Sequence, residues 1–455
     1  MGRLNRRAAA EVSAPGVTPA RSHPESVGHL HLGFGAFHRA HQGLYTERAM
    51  ALSGDRSWGV LGVTGRRPDV ARTMAEQGGA YGVLVRHPDG DRLDLVDAVL
   101  DVLAAEQEDA IADALADERT RVVTLTITEQ AYADPATSIP LRRLAAGLAR
   151  RHERSRAPLS VISCDNLSDN GRVLRDAVGR LLEPASALAS WVADTVAFPS
   201  SMVDRIVPAT TPADVEAAAA LSGLVDHGLV VAEPFSQWVV QDDLVAGHPG
   251  WDRVGVQLVP DVAGWEQLKL RVLNTSHSLL AWQGALAGHD TISSAAADPA
   301  LHQQVVALMD EVATVLQPPP GADVPGYRAE VLRRFANPMI RHTTAQVARD
   351  GSRKLPERVF GTMRDQLAAG LRPEWTARLV GLWLAYLARF RDPSSDPLAT
   401  EVLALLDEGP DEATVVRRVC RLIAPAAEDV LQDEVVTVMA AALREASSNV
   451  RRATS

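Results

Sequence analysis

Three polar side chains that could carry proton transfer, Lys269, Asn274 and His277, stand close together in a segment whose apolar spacing predicts a helix. On an α-helix, Asn274 and His277 are three residues apart and lie on one face. Lys269 lies about 140° from Asn274 and about 80° from His277 around the helix axis. The three side chains can therefore converge on one cleft. Polar groups that face inward cost free energy unless they are paired or used.

These residue types suit hydride transfer at the carbon of an alcohol. A lysine that is partly removed from water has a lowered pKa and can accept the hydroxyl proton. The asparagine amide can donate a hydrogen bond to the developing alkoxide, and the histidine can orient the substrate. On spacing alone, a helix with a surface lysine and a hydrogen-bonded core histidine is the favoured interpretation.

A glycine-rich stretch, Gly33-Phe34-Gly35, stands where a first strand meets a first helix. A dinucleotide pyrophosphate needs exposed N–H groups at a helix N-terminus and no side chains in its way. Gly33 would provide the tight turn, and Gly35 would allow the pyrophosphate to approach the backbone closely. His38 occupies the usual third glycine position, so the fingerprint is incomplete, and a turn that merely connects two elements remains the alternative.

The acidic residue that holds the adenosine ribose is also not at its usual place. Asp69, after the second strand, could reach the ribose hydroxyls. Arg66 or Arg67 could instead meet a 2′-phosphate and favour NADP, or both arginines could be solvated. These residues therefore do not distinguish NAD from NADP as the cofactor.

Four histidines, His29, His31, His38 and His41, crowd the same region, so a metal site is one interpretation. However, the glycine turn contains no carboxylate or thiolate that could complete a ligand set. Packing and hydrogen bonding of the imidazoles is the favoured interpretation.

The elements that must position these residues differ between the two halves of the chain. In the first half, short apolar runs alternate with helical patterns, which predicts an α/β domain with a mostly parallel sheet. The predicted strands are His29–Gly35, Trp58–Thr64, Tyr81–His87, Arg121–Thr128, Pro158–Cys164, Trp191–Phe198 and Leu229–Pro234. The predicted helices between them are Ala104–Asp117, Leu141–Glu153 and Pro212–Leu221.

After about Gly264, helical periodicity replaces the strand pattern and predicts an all-α C-terminal domain. The predicted helices are Leu268–Leu286, Pro299–Leu316, Gly326–Phe335, Pro373–Arg391, Leu398–Leu406, Glu412–Leu422 and Val430–Ala446. The expected organisation is a flexible N-terminal tail over residues 1–27, a Rossmann-type domain over 28–263 and a helical substrate domain over 264–455.

Composition excludes several classes of function. The 455 residues include 46 Lys and Arg against 57 Asp and Glu, a formal net charge of −11 that argues against nucleic acid as the main partner. Two cysteines exclude a disulfide framework and a four-thiolate zinc site. No signal peptide pattern or membrane span stands out. We therefore expect a cytoplasmic protein with no membrane partner.

Ordered motifs from about residue 28 onward resemble the mannitol dehydrogenase family of polyol-specific long-chain dehydrogenases. The matching stretches are Gly33–Gln42 (GFGAFHRAHQ), Thr126–Tyr132 (TITEQAY), Ser163–Gly171 (SCDNLSDNG), Phe198–Pro208 (FPSSMVDRIVP), Glu233–Val239 (EPFSQWV), Lys269–Ser278 (KLRVLNTSHS), Arg334–Pro338 (RFANP) and Asp350–Pro356 (DGSRKLP). This resemblance implies a Rossmann-type domain, a helical C-terminal domain and a metal-independent mechanism that uses NAD, or NADP.

Carried over by motif, the resemblance assigns catalytic roles to four residues. Lys269 matches the family's general base, and Asn166 and Asn274 match two amides that bind the reacting oxygen. His277 matches the histidine that orients the substrate. For cofactor binding, the same resemblance adds Phe37 and Arg39 of the first motif to Gly33, Gly35 and Asp69.

The resemblance also implies further contacts around the substrate. Glu129 lies in the motif associated with the proton path, Asp204 lines the site, and Lys354 contacts substrate hydroxyls. Gln346 takes a place where several mannitol dehydrogenases carry arginine, a feature that is more similar to the fructuronate reductase branch.

The predicted reaction converts a polyol or aldonate into its ketose, with mannitol and fructose or mannonate and fructuronate as the leading pairs. The small-molecule substrate is the expected partner, and we expect a monomer or a weak homo-oligomer. Two alternatives are a nicotinamide-binding regulatory protein without turnover and a zinc hydrolase that uses the four histidines.

Overall fold

The computed structural model of the chain describes residues 2–65, 68–409 and 411–453. Its internal contacts divide it into two compact units, the first ending at Ala263 and the second beginning at Gly264. Across the described ranges, no helix combines the length and the apolar character that crossing a bilayer requires.

Fifteen strands lie in the described part of the chain, all in the first unit. They are β1 (Gly2–Arg3), β2 (Val17–Thr18), β3 (Val27–Leu32), β4 (Gly59–Val63), β5 (Tyr81–His87), β6 (Gly90–Val96), β7 (Val99–Leu103), β8 (Val122–Leu125), β9 (Leu159–Ser163), β10 (Val196–Ala197), β11 (Ser201–Asp204), β12 (Leu224–Val225), β13 (Val230–Ala232), β14 (Gln237–Gln241) and β15 (Gln257–Val259).

The first unit also contains ten α-helices within the described residues. They are α1 (Arg6–Glu11), α2 (Ala36–Ala40), α3 (Gln42–Ser53), α4 (Pro68–Glu76), α5 (Glu108–Ala116), α6 (Gln130–Ala133), α7 (Ile139–Arg154), α8 (Asn170–Gly179), α9 (Ala187–Thr195) and α10 (Pro212–Ser222). Short 3₁₀ turns lie at Arg56–Trp58 and Trp251–Val254.

The main sheet has the strand order β10-β9-β8-β3-β4-β7, and every neighbouring pair is parallel. Numbered along the chain, this order reads 6-5-4-1-2-3, which is the order of doubly wound dinucleotide-binding folds. The order in which the chain adds strands reverses at β3, because β4 lies on one side of β3 and β8 lies on the other. In such sheets, ligands bind beyond the carboxyl ends of the strands at this switch point.

Both faces of the main sheet are covered by apolar side chains. Alternate strand residues point to opposite faces, so Leu61, Val123 and Val161 pack in one apolar cluster with helices α5, α7 and α8. Val60 and Ile162 pack in a second cluster with α3. Strands buried on both sides read as continuous apolar runs. The predicted α/β Rossmann-type fold is confirmed.

Two predicted strands, β5 and β13, belong to a different sheet from the one expected. Strand β5 pairs parallel with β13 and antiparallel with β6, with Tyr81 opposite Val96 and His87 opposite Gly90. The four strands β13-β5-β6-β2 form this separate mixed sheet. Strand β6 is half exposed at its start, so its sequence lacks the continuous apolar run that identified the buried strands.

The strand predicted at Trp191–Phe198 is wrong over most of its length. Residues Ala187–Thr195 form helix α9, and only Val196 and Ala197 pair with β9. Ser186 begins the helix, because its side chain accepts a hydrogen bond from the N–H of Ala189 at 3.1 Å. A short apolar run does not by itself distinguish a strand from a buried helix.

The segment predicted to be a flexible tail instead packs into the first unit over its described residues. Strand β1 pairs with β12 and β2 pairs with β6. The side chains of Leu4, Ala9 and Ala20 are buried. The guanidinium of Arg6 donates to the backbone carbonyls of Gly78, Asp97 and Val99. Elements this short have no periodicity for a sequence to reveal.

A buried carboxylate, Glu47 of α3, anchors the end of this segment. It accepts hydrogen bonds from the N–H groups of Arg21 and Ser22, at 2.7 and 3.0 Å, and from the Ser22 hydroxyl at 2.7 Å. It also accepts from the N–H groups of Asp97 and Ala98, each at 2.9 Å. Burial and the nearby charge of Asp97 raise the pKa of Glu47.

Apart from an isolated bridge between Thr291 and Thr343, the regular elements in the described part of the second unit are all helical. Its α-helices are α11 (Ala263–Leu268, which begins at the unit boundary), α12 (Thr275–Leu286), α13 (Ile292–Ala297), α14 (Pro299–Ala313), α15 (Val324–Phe335), α16 (Thr344–Ala348), α17 (Gly351–Leu355), α18 (Gly361–Ala368), α19 (Trp375–Phe390), α20 (Ala399–Glu408), α21 (Glu412–Ile423) and α22 (Asp433–Ala453). Lys269–Asn274 and Pro356–Phe360 form π-helical turns, and Pro393–Ser395 and Pro425–Val430 form 3₁₀ turns.

Helix α19 forms the centre of this unit. Its residues are buried on every side, including Leu379 and Trp383, and a helix that is apolar all round belongs in a core. Trp282 of α12 belongs to the same apolar cluster. The predicted all-helical character is confirmed, although the predicted single helix over Leu268–Leu286 contains a π-helical turn.

Candidate functional site

The glycine turn lies at the switch point of the main sheet. Gly33 has φ of +97°, and a Cβ atom there would lie 2.1 Å from the backbone oxygen of Thr126. The Thr126 hydroxyl donates to the Gly33 carbonyl at 2.9 Å, so the turn and the end of β8 touch. Gly35 has φ of −114° and begins α2. Among the described residues, a Cβ at Gly35 would come near only the Gly33 oxygen, 3.6 Å away.

Glu129 and Asn166 lie in the loops that follow the adjacent strands β8 and β9, and both are exposed. The carboxylate of Asp165 ties these loops together. It accepts hydrogen bonds from the N–H groups of Ile127 and Thr128, each at 3.0 Å, and from the Tyr132 hydroxyl at 2.5 Å. Burial raises the pKa of Asp165. The carboxyl edge of the sheet therefore holds both predicted residues in one place.

Asp204 is buried at the end of β11. The side chain of Asn170 connects this strand to the loop of Asn166. Its Nδ2 donates to the carbonyls of Ser201 at 2.7 Å and Asp165 at 3.1 Å, and its Oδ1 accepts from the Ser201 N–H at 2.8 Å. Sequence reasoning missed Asp165 and Asn170 as positioning residues, and the polar stretch Ser163–Gly171 was their only signal.

The histidines beneath the glycine turn form a hydrogen-bonded cluster. The Thr124 hydroxyl lies 2.7 Å from both His29 Nε2 and His31 Nδ1, and His31 Nε2 lies 3.0 Å from the Thr126 hydroxyl. The His38 ring stacks on His31 with a centroid distance of 3.6 Å. Among the residues that the structure describes, no group of three or more His, Cys, Asp or Glu is arranged to hold a metal ion.

Burial keeps these imidazoles neutral. It lowers the pKa of His29 to about 3 and moves the pKa values of His31 and His38 well below the usual range. In the unfolded chain the same groups titrate near 6.5. The folded state therefore loses stability as the pH falls below about 6.5 toward 3, because the unfolded chain binds more protons over that range.

Two other residues predicted to bind the cofactor, Phe37 and Asp69, lie in a ring contact and on an exposed helix turn, respectively. The ring of Phe37 stacks on His41 with a centroid distance of 5.1 Å. Asp69 is exposed on the first turn of α4 and pairs with Arg72 at 3.1 Å. Arg66 and Arg67 lie outside the described residues.

Arg39 does not suit its predicted contact with the cofactor. Its side chain is buried and donates to the backbone carbonyls of Gly35 and Gly228. The guanidinium also lies 5.9 Å from the ring centroid of Tyr81. It therefore stabilises the inside of the domain, and the motif alone does not show which way this side chain turns.

In the second unit, Lys269 and Asn274 open and close a single π-helical turn. The N–H of Thr275 bonds to the Leu270 carbonyl, five residues earlier. Residues five apart in a turn closed by such bonds lie nearly above one another. The predicted separation of 140° is therefore wrong, because it assumed an α-helix. The wide turn aligns the lysine and the asparagine on one face.

His277 follows this turn on α12. Its ring packs against Phe335 and His342, with centroid distances of 5.0 Å to each. Burial and then the positive groups His342 and Arg358 move the pKa of His277 well below its usual value. Its Nε2 atom is buried and meets no hydrogen-bond partner within the described ranges. A neutral imidazole with one nitrogen to spare suits binding a substrate hydroxyl.

Lys354 and Gln346, from the late motif, are held differently. Lys354 Nζ lies near His277 and His342, whose pKa values it lowers, and donates to the Val347 carbonyl at 2.9 Å. Gln346 is exposed, and its side chain accepts from the N–H of Thr343 in a capping box at the start of α16. The side chain of Gln346 therefore caps helix α16, and its contact with substrate stays a prediction.

Each unit thus carries its own set of groups. The first presents a glycine turn and a polar sheet edge that suit a dinucleotide. The second aligns an amine, an amide and a neutral imidazole, which suit proton transfer at an alcohol.

Comparisons with known proteins find the same family for both units. Residues 27–253 match the mannitol dehydrogenase Rossmann domain, and residues 261–444 match the mannitol dehydrogenase C-terminal domain. The chain is 37% identical to D-mannonate oxidoreductase of Escherichia coli over 385 residues, 78% of this chain and 79% of the relative. It is 37% identical to mannitol 2-dehydrogenase of Cereibacter sphaeroides over 390 residues, 79% of this chain and 80% of the relative.

Among solved structures, mannitol 2-dehydrogenase of Pseudomonas fluorescens, in a ternary complex with NAD and D-mannitol, matches with a TM-score of 0.82 and 30% identity. The match covers 99% of this chain and 97% of that chain. The chain therefore belongs to the mannitol dehydrogenase family.

Proposed function

We propose that this chain is an NAD-dependent oxidoreductase that interconverts a secondary alcohol of an open-chain polyol or aldonate and the corresponding ketose. One observation carries the proposal: Lys269 and Asn274 are the first and last residues of one π-helical turn, and the buried His277 that follows it is kept neutral. The relatives that use D-mannonate and mannitol make these two compounds the leading substrates.

The glycine turn supplies the fit for the cofactor. Gly33 has a positive φ and lies too close to Thr126 for a Cβ atom, and within the described part of the chain the Cα face of Gly35 is open for a pyrophosphate. Gly33, Gly35 and Asp69 would hold the dinucleotide, with Phe37 beside the turn. When bound, the nicotinamide accepts or returns a hydride.

The proton and the charge on oxygen are handled by this chain's own residues. Lys269 takes the hydroxyl proton as hydride leaves the same carbon. The amides of Asn166 and Asn274 donate hydrogen bonds to the oxygen as it gains negative charge, an interaction that strengthens toward the transition state. His277 orients the substrate through its spare nitrogen, and Lys354 binds a further hydroxyl. These roles rest on the family motifs and on the local contacts of each residue.

Replacement of Lys269 by Ala tests the proposal. Turnover at neutral pH is expected to fall by about 10³-fold, because general base catalysis contributes about 10²- to 10⁴-fold. NADH binding, followed by fluorescence titration, should survive. Arg271→Ala is the matched control, since Arg271 lies in the same turn but pairs with Asp365 at 2.6 Å. Near-normal turnover of Lys269→Ala would refute the proposed role.

A panel of substrates separates the remaining alternatives. Assays with NAD and NADP should include mannitol, arabinitol, mannonate and altronate, with fructose and fructuronate in the reverse direction. Turnover that persists after treatment with a chelator supports the metal-independent mechanism, and turnover that the chelator abolishes contradicts it. No turnover across the panel, with NADH binding retained, favours a regulatory protein.

We further propose a cytoplasmic protein that is a monomer or a weak homo-oligomer. Light scattering during size-exclusion chromatography measures the mass against the 48.7 kDa of one chain. A stable assembly at low concentration would contradict this proposal.

A further inference from the structure

Two π-helical turns pack against each other in the second unit. The first, Lys269–Asn274, carries two of the proposed catalytic groups, and the second, Pro356–Phe360, lies between α17 and α18. The Thr275 hydroxyl lies 2.9 Å from the Leu270 carbonyl and 3.2 Å from the Arg358 carbonyl. Thr275 therefore bonds both inside its own helical run and to the neighbouring one.

The side chain of Arg358 makes a second connection in the opposite direction. Its Nη1 donates to the Asn274 carbonyl at 3.0 Å and to the Ser278 hydroxyl at 2.8 Å. The Ser278 hydroxyl also bonds to the Asn274 carbonyl, at 3.2 Å. A charged donor thus holds the peptide group of Asn274 at the point where the π turn becomes helix α12. Hydrogen bonds to charged groups are stronger than neutral ones.

A π turn needs such support, because π-helical turns are rare and mark sites where a helix departs from its normal bonding. In the second run, Pro356 lacks an N–H group and cannot continue α-helical bonding. The first run, Lys269–Asn274, contains no proline or glycine that would widen it. Contacts from outside that run must therefore stabilise its wide turn.

We propose that Arg358 is a positioning residue that keeps Lys269 and Asn274 aligned by holding the π turn between them. This inference rests on the proposed function, because the alignment matters only if those two groups act together. If the turn relaxed to an α-helix, the lysine and asparagine would point about 140° apart. Both side chains could still reach one cleft, but the amine would then approach the amide from a different side of the helix.

Replacement of Arg358 by Met tests this role. We expect kcat to fall about 10- to 100-fold, as for a catalytic group misplaced by about 1 Å, while KM changes less than about threefold. Arg358→Lys should recover most of the lost kcat, because an ammonium can still donate to both oxygens. Arg364→Met on α18 is the matched control, since Arg364 pairs with Asp429 on the surface and should leave kcat unchanged.

A double-mutant cycle shows whether Arg358 acts through Lys269. In a Lys269→Ala background, Arg358→Met is expected to have little further effect on kcat. If the two residues acted independently, their fold-losses of kcat would multiply. An unchanged kcat in Arg358→Met, a loss confined to KM, or full multiplicativity in the cycle would overturn the proposal. Near-normal turnover of Lys269→Ala alone would instead contradict the proposed function.

A second variant covers the case in which Arg358→Met does not fold. Thr275→Val keeps the shape of the side chain but removes the hydroxyl that reaches the Leu270 and Arg358 carbonyls. It should lower kcat in the same way, with KM nearly unchanged. If Thr275→Val folds with normal kcat, the two π turns do not support each other catalytically and the inference is wrong.

Discussion

Replacement of Gly33 by Ala should destabilise the first unit, and replacement of Gly35 by Ala should not. The two glycines stand two residues apart in the same turn, so the pair forms its own control. Gly33 has φ of +97°, a region that L-residues rarely adopt, and its Cβ would lie 2.1 Å from the Thr126 oxygen. Gly35 has φ of −114°, and the contact that its Cβ would make with a described residue is an ordinary one at 3.6 Å.

The magnitude for Gly33→Ala follows from three contributions. Backbone strain at positive φ costs about 1–3 kcal/mol. Relief of the contact with Thr126 requires the ends of β3 and β8 to separate by about 1 Å, since real Cβ contacts are rarely below 3.0 Å. That movement breaks the hydrogen bond from the Thr126 hydroxyl to the Gly33 carbonyl, worth about 1 kcal/mol. The strain and the lost hydrogen bond sum to about 2–4 kcal/mol, and the separation of the strand ends adds to this cost.

Gly35→Ala should weaken cofactor binding and leave the stability of the fold nearly unchanged. Its methyl group would occupy the open side of the turn, where a pyrophosphate needs close approach to the backbone. We expect the dissociation constant of NADH to rise about 10- to 100-fold, equivalent to about 1.4–2.8 kcal/mol. The free energy of unfolding should change by less than about 0.5 kcal/mol.

Thermal unfolding and NADH fluorescence titration measure both effects. At about 2–4 °C for each kcal/mol in a domain of this size, Gly33→Ala should lower the unfolding temperature by about 10 °C. Unchanged unfolding of Gly33→Ala would refute the argument from φ and the Thr126 contact. Unchanged NADH affinity of Gly35→Ala, with the fold intact, would refute the assignment of this turn to the cofactor.

Further predictions concern pH, a helix cap and a buried carboxylate. Because burial depresses the pKa values of His29, His31 and His38, lowering the pH from 7.5 to 5 should cost about 2 kcal/mol for each imidazole; unfolding temperatures that do not fall over this range would contradict their neutral burial. Gln346→Ala should cost about 0.5–1 kcal/mol of stability through the lost cap and leave kcat and KM within about twofold; a tenfold rise in KM would restore its role in substrate binding. Glu47→Gln should destabilise the first unit by about 2–4 kcal/mol, because an amide NH₂ would face backbone N–H donors, and limited proteolysis should then cleave the N-terminal segment faster. Equal cleavage rates would show that this carboxylate does not anchor the segment.

Much of the fold could be predicted from the sequence, because long buried elements leave a strong pattern. Strand β5 was predicted with its observed ends at Tyr81 and His87, and the helices of the second unit follow their apolar spacing. The failures occurred where elements are short or half exposed. Helix α9 was taken for a strand, and the pairing of β1 and β2 in the N-terminal segment left no periodic signal.

Some features of the candidate site could likewise be predicted from the sequence, and others could not. The motifs indicated Lys269, Asn274, His277 and the glycine turn, because chemistry requires those residue types in a fixed order. The motifs could not show the direction of a side chain. Arg39 turns inward to the Gly228 carbonyl, and Gln346 closes a capping box.

By itself, the sequence determined the residue types that can transfer a proton and the division into an α/β part and a helical part. Only the tertiary structure decided how those residues align, because the π turn at Lys269–Asn274 depends on contacts from Arg358, more than eighty residues later in the chain. Spacing along a helix assumes a regular bonding pattern. Hydrogen bonds between distant segments can change that pattern, and here they determine which groups share a face.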